Sequence, residues 1–213
     1  MTGLLRKDFL LIVKNFSFTS FIVYVILLPS MLQNSSMVIP MLCIATSMIL
    51  AFQVSLALGQ DESAKWLKNV SAMPITVAQE VFSKYLLTYF IAIISIIISI
   101  VFVLISSIFL NTATESNIMF LFIAFALVVL YNSIVIPATY KLGTGKSRYI
   151  LYLFVLIPTF STLLLNSLDI KIDINLNSLN FNFTVFLLAV SVIVLSIISF
   201  TISLQIQKKK EFS

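Results

Sequence analysis

GQDESAKWLKNVSAMPITVAQEVFSKY, residues 59–85, is the charged interval of a chain that is otherwise almost wholly apolar. It holds the only tryptophan, Trp66, with three of the eight acidic residues (Asp61, Glu62, Glu80) and three of the thirteen basic ones (Lys65, Lys68, Lys84). The apolar run on either side is long enough to cross a hydrocarbon layer of about 30 Å as a helix. A charged, amphipathic island between two such runs is where the protein meets water-soluble partners. Its flanks set the fold class as all-α and polytopic, because only helices satisfy their own backbone inside a bilayer when strands are not closed into a barrel.

Composition agrees. Of 213 residues, 60% are hydrophobic and 10% charged, against about one-quarter charged in a soluble domain. The expected organisation is one transmembrane domain, residues 1–213, in the lipid bilayer. The net charge of +5 is spread between apolar runs, which argues against nucleic acid as a partner. Cys43 is alone in an apolar run, so no internal disulfide or cysteine cluster is available. The absence of histidine removes the usual general base and the commonest metal ligand. No metal site is expected, and no cleavable signal is expected either.

Residues 1–15 form a short basic segment with Leu4, Leu5, Phe9 and Ile12 at helical spacing and Lys7 and Lys14 on another face. That pattern predicts an interfacial helix. Six spans follow, at about 16–32, 37–58, 85–110, 118–140, 149–165 and 184–206. Residues 33–36 read as a polar turn, Gly59 as the end of the second helix, and residues 111–117 as a polar loop. Ser47, Ala51 and Ser55 form a small-residue stripe suited to close helix packing in lipid. Serines also share a face in the third span (Ser95, Ser99, Ser106) and the sixth (Ser196, Ser199, Ser203). Residues 168–183 alternate apolar and polar, which reads as an extended segment at the outer surface, or else as a re-entrant or interfacial helix.

Six spans place both termini on one side. With that side cytoplasmic, twelve of the thirteen basic residues lie inside and only Lys171 outside, in keeping with the positive-inside bias. The island, residues 59–84, then faces the cytoplasm. Within the spans Gln53 and Asn132 are the notable polar residues. Together with Ser95 and Ser99 they are candidates for a pathway or for hydrogen bonds in a helix seam. No acid or base sits mid-span, unlike the usual ion-coupled carrier. The run Gly143-Thr144-Gly145-Lys146-Ser147 ends like a phosphate loop, but Tyr140 stands where the first glycine is needed. It is read as a flexible turn, and no catalytic constellation is present.

Inside the island, Asp61 and Glu62 suit a helix N-terminus. Met73-Pro74 predicts a break. Thr76 to Gln79 has the capping-box spacing, and Glu80 with Lys84 forms an i,i+4 pair. Two readings of this short helix and proline corner stand level on the residues alone: a docking element for an ATPase, or an interfacial hairpin anchored in lipid by Trp66.

A resemblance separates them. Asp61, Glu62, Trp66, Met73, Pro74, Ile75 and Glu80, followed by Ser83-Lys84-Tyr85, resemble the cytoplasmic loop between the second and third spans of type-2 ATP-binding-cassette (ABC) exporter permeases. Leu4-Leu5-Arg6-Lys7-Asp8-Phe9 is similar to that family's elbow helix, with Leu5, Arg6, Lys7 and Phe9 as its matching residues. The resemblance implies a coupling helix seated on a separate ATPase that binds ATP and Mg, with no cofactor in this chain. It also implies a second permease subunit, as homodimer or sibling heterodimer, in the bacterial cell membrane. The small size resembles exporters of amphipathic peptides, of the phenol-soluble modulin or lantibiotic type. The alternative is a stand-alone facilitator or assembly factor with no ATPase partner.

Overall fold

A computed structural model describes residues 2–15, 35–64, 66, 75–110, 114–147, 149–150, 152–153 and 181–211. The expected first span, most of the fifth, and nearly all of the alternating outer segment lie outside the described residues. The described elements are α1 (Thr2–Asn15), α2 (Ser35–Ser63), α3 (Val77–Leu110), α4 (Thr114–Leu142) and α5 (Phe181–Glu211). Among the described residues, four stretches are long and apolar enough to cross a membrane: Leu42–Ser63, Val77–Leu104, Phe120–Leu142 and Val185–Lys209.

Several helix ends differ from the sequence reading. Ser35 and Ser36 open α2 rather than belonging to a turn, and residues 114–117 are already helical in α4. The helix of the second span passes through Gly59 to Ser63. A lone glycine lowers helix stability by only about 1 kcal/mol relative to alanine, too little to end a long apolar helix held by packing. The third helix does start where the capping box places it, at Val77, and continues without a break into the third span. Its capping box forms as read: the Thr76 amide donates to Gln79 Oε1 at 3.2 Å, and the Gln79 amide to Thr76 Oγ1 at 3.3 Å.

α2 packs on α3 and α4, α5 packs on α4 and α3, and α1 lies across α2 and α3. The small-residue stripe does what its spacing predicts. Ser47 and Ala51 are fully buried, and Ser55 shares a 3.3 Å hydrogen bond with the Tyr131 hydroxyl of α4. Contacts Ser55–Tyr131 and Glu62–Thr144 set α2 and α4 parallel. Contacts Tyr89–Ser196 and Tyr85–Ser203 set α3 antiparallel to α5. All charged side chains of the four spans consequently gather at one end: Asp61, Glu62, Glu80, Lys84, Lys141, Lys208 and Lys209.

The serine stripe of α5 holds the seam inside one chain. Pro137 lies within α4 and has no amide hydrogen, so the carbonyl of Ser133, four residues earlier, loses its helical donor. Ser199 of α5 donates its hydroxyl to that carbonyl. Tyr85 of α3 donates to Ser199 Oγ at 2.5 Å and contacts Ser203 Oγ at 3.0 Å. One proline thereby recruits a hydroxyl from a neighbouring helix, as polar groups in an apolar bundle must find partners. Ser199→Ala is expected to cost about 1–2 kcal/mol. The cost should shrink in a Pro137→Ala background, where the helical donor returns; equilibrium unfolding of the four proteins checks it.

Candidate functional site

The site grows from α1. Leu4, Asp8 and Ile12 recur every four residues and are all buried, while Phe9, Leu10 and Val13 are exposed. Asp8 thus stands in the middle of the helix's inward stripe. A carboxylate there needs a charged partner, since burying an unpaired charge is strongly unfavourable. Lys84 of α3 supplies it: its Nζ lies 2.7 Å from Asp8 Oδ1 and 2.5 Å from Asp61 Oδ2, at the end of α2. Lys7 closes the group, 2.6 Å from Asp61 Oδ1 and 3.2 Å from Asp8 Oδ1.

Two acids and two bases form a neutral quartet drawn from three helices. Side-chain exposure rises through it from 1% at Asp8 and 2% at Lys84 to 14% at Asp61 and 24% at Lys7. The inner pair is sealed and the outer pair reaches water. Lys7 Nζ also sits 3.8 Å from the centroid of the Trp66 ring, a cation–π contact. Trp66 therefore joins the quartet from the island side. A buried ion pair of this sort adds little net stability over an apolar one, but the removal of one partner is severe. Its role is to hold α1, the end of α2 and the start of α3 in one register.

Glu80 lies one turn before Lys84 and is 3% exposed. The expected i,i+4 pair with Lys84 is not formed, because Lys84 turns to Asp8 and Asp61 instead. Gln207 of α5 faces Glu80. Glu62 turns the other way, accepting a 2.5 Å hydrogen bond from the backbone amide of Thr144. Gly143, just before it, has φ of +83°, and residues 144–147 form a helical turn. The run read as a flexible turn is thus shaped, with the Glu62 carboxylate on the amide that a phosphate loop would offer an anion.

The other residues singled out in the sequence fall as follows. Ile75 is half-buried, and Met73 and Pro74 lie outside the described residues. Leu5, Arg6 and Phe9 lie along a groove between α1 and α3, with Phe9 edge-on to Phe90 at 5.8 Å. Gln53, Ser95, Ser99 and Asn132 are all buried within the single chain. Asn132 donates to the Val128 carbonyl of its own helix at 3.0 Å, while Gln53 Oε1, Ser95 Oγ and Asn132 Oδ1 have no hydrogen-bond partner among the described residues. Among the described residues no cluster of side chains fit to hold a metal ion occurs.

Sequence reading missed Asp8 as a site residue and placed Asp61 and Glu62 at the start of a new helix, whereas they lie in the last turn of α2. The signal for Asp8 was present: an acid at i+4 between two apolar residues on the buried stripe of an amphipathic helix. Its partner was not, because Lys84 lies 76 residues away. Against known proteins, a family model described as "ABC-2 family transporter protein" matches residues 3–208. No curated protein and no solved structure matches the chain.

Proposed function

Since the chain belongs to the ABC-2 family of transporter proteins, we propose that it is the membrane-spanning subunit of an ABC exporter, driven by a separate ATPase that docks on residues 59–84. The observation that carries this reading is the quartet of Asp8, Lys84, Asp61 and Lys7 with Trp66. It ties both flanks of the island to α1. Force applied to the island then reaches α2 and α3 together and displaces them as a unit, instead of bending a loose loop. ATP and Mg bind the partner, and this chain supplies the docking element and half of the pathway. A second subunit, identical or a sibling, supplies the other half.

The bundle's chemistry supports a substrate class. Charged side chains of the four described spans stay at one end. A pathway of that character suits an amphipathic peptide or a similar hydrophobic molecule, for which a charged lining would add a desolvation barrier. Both termini lie on the cytoplasmic side, together with the island.

Docking is tested at the island's exposed positions, not at its buried acids. Glu80 and Asp61 face inward, so charge reversal there disturbs the bundle itself. Ala64 and Ala78 are exposed. Tryptophan at both is expected to weaken association with the co-purified ATPase by about tenfold, the equivalent of 1.4 kcal/mol, and to lower stimulated hydrolysis. The melting temperature of the membrane subunit should stay where it was. Unchanged association and hydrolysis would place the ATPase elsewhere.

A further inference from the structure

Arg6 and Lys7 are neighbours with opposite circumstances. Lys7 is neutralised by Asp61 and Asp8 and covered by Trp66. Arg6 is exposed and makes no ion pair among the described residues. It borders a groove of about 300 Å³ between α1 and α3. The other lining residues are Leu5, Phe9, Leu86, Leu87 and Phe90, so among the described residues Arg6 is the groove's only polar member and no acid lines it.

The wall contributed by α3 belongs to a stretch fit to cross the membrane, and Phe9, Leu86 and Phe90 are exposed there. An apolar channel with a lone guanidinium is complementary to one kind of molecule: an amphiphile with a negative head. The guanidinium presents paired N–H donors that match phosphate oxygens two at a time. A cation close to hydrocarbon also has to meet a headgroup or another counter-charge. We propose that this groove seats an anionic phospholipid, with an acyl chain along Phe9, Leu86 and Phe90 and its phosphate on Arg6. The bound lipid fills the angle between the interfacial helix and the span it crosses. The inference is independent of any ATPase.

The test uses the full chain, purified from bilayers of phosphatidylcholine mixed with phosphatidylglycerol, with retained lipids identified by native mass spectrometry. Phosphatidylglycerol should be retained in clear excess over its share of the bilayer, and its addition to delipidated protein should raise the melting temperature more than phosphatidylcholine does. Arg6→Gln should abolish that excess. Arg6→Lys should keep part of it, since lysine carries the charge without the paired donors. Leu86→Trp, which fills the groove, should lower retention of both lipids, and it provides a second reading on folded protein. Inorganic phosphate should not compete, because it lacks the chain. The proposal is overturned if Arg6→Gln retains phosphatidylglycerol as the parent does, or if the parent holds both lipids equally. It is equally overturned if cysteines at Phe9 and Phe90 cross-link between copies, which would put a second chain in the groove.

Discussion

Lys84→Met is expected to lower the unfolding free energy by about 3–5 kcal/mol, the cost of removing one partner from a buried ion pair. The reason lies in what stays behind. Asp8, 1% exposed, would be left with only Lys7 at 3.2 Å as a charged partner. Asp61 would retain Lys7 at 2.6 Å and remain partly in water. The damage therefore concentrates on Asp8 and on the attachment of α1. Denaturant unfolding in detergent measures the loss. Trp66, the only tryptophan, reports it locally, because its ring rests under Lys7. The double variant Asp8→Asn with Lys84→Met removes one acid and one base. It should be more stable than Lys84→Met alone, leaving Asp61 and Lys7 as a neutral outer pair. If the double variant instead lost the sum of the two single losses, Asp8 and Lys84 would not be energetically coupled.

A second large effect is expected at Gly143, in the turn that closes α4. Its φ of +83° lies in the left-handed region, where a residue with a side chain costs about 1–3 kcal/mol. A Cβ placed there would also come within 2.9 Å of Glu62 Oε1. That carboxylate cannot swing away freely, since its other oxygen holds the Thr144 amide. Gly143→Ala therefore strains the turn and loosens the link between the end of α2 and residues 144–147. The combined expectation is a loss of about 2–3 kcal/mol, with part of the hydrogen bond's value discounted for its exposure. In a Glu62→Ala background the Cβ has room, and the loss from Gly143→Ala should fall to the backbone strain alone. Thermal unfolding of the four proteins separates the two contributions. An equal loss in both backgrounds would show that Glu62 and Gly143 act independently.

The two variants probe different supports of the same island. The quartet holds its flanks to α1 and α3, and Glu62 holds the end of α2 to the turn after α4. Both supports use acids near the end of α2, Asp61 and Glu62, which the sequence suggested as the start of a separate helix. A partner pressing on residues 59–84 would meet the exposed positions between these anchors, with the acids already committed to the bundle.

The one-dimensional pattern indicated the all-α class, four membrane-length apolar helices, a helix over residues 2–15 and the capping box of Thr76 and Gln79, because each depends on residues near one another in the chain. Apolar length decides what enters a membrane, small-residue spacing decides which face can pack closely, and threonine with glutamine three later decides where a helix begins. The family resemblance rested on the same kind of local pattern. What the tertiary structure decided is where the charges go. By sequence logic Lys84 had one acid in reach, Glu80 one turn away, and only the crossing of α1 over α2 and α3 brought it Asp8 and Asp61 instead. The assignment of Ser199 to the carbonyl orphaned by Pro137 was likewise invisible, since it required α5 to lie beside α4 at that height. A buried charge or an unpaired carbonyl must be answered by something nearby, but the chain's order does not state what is nearby; packing does.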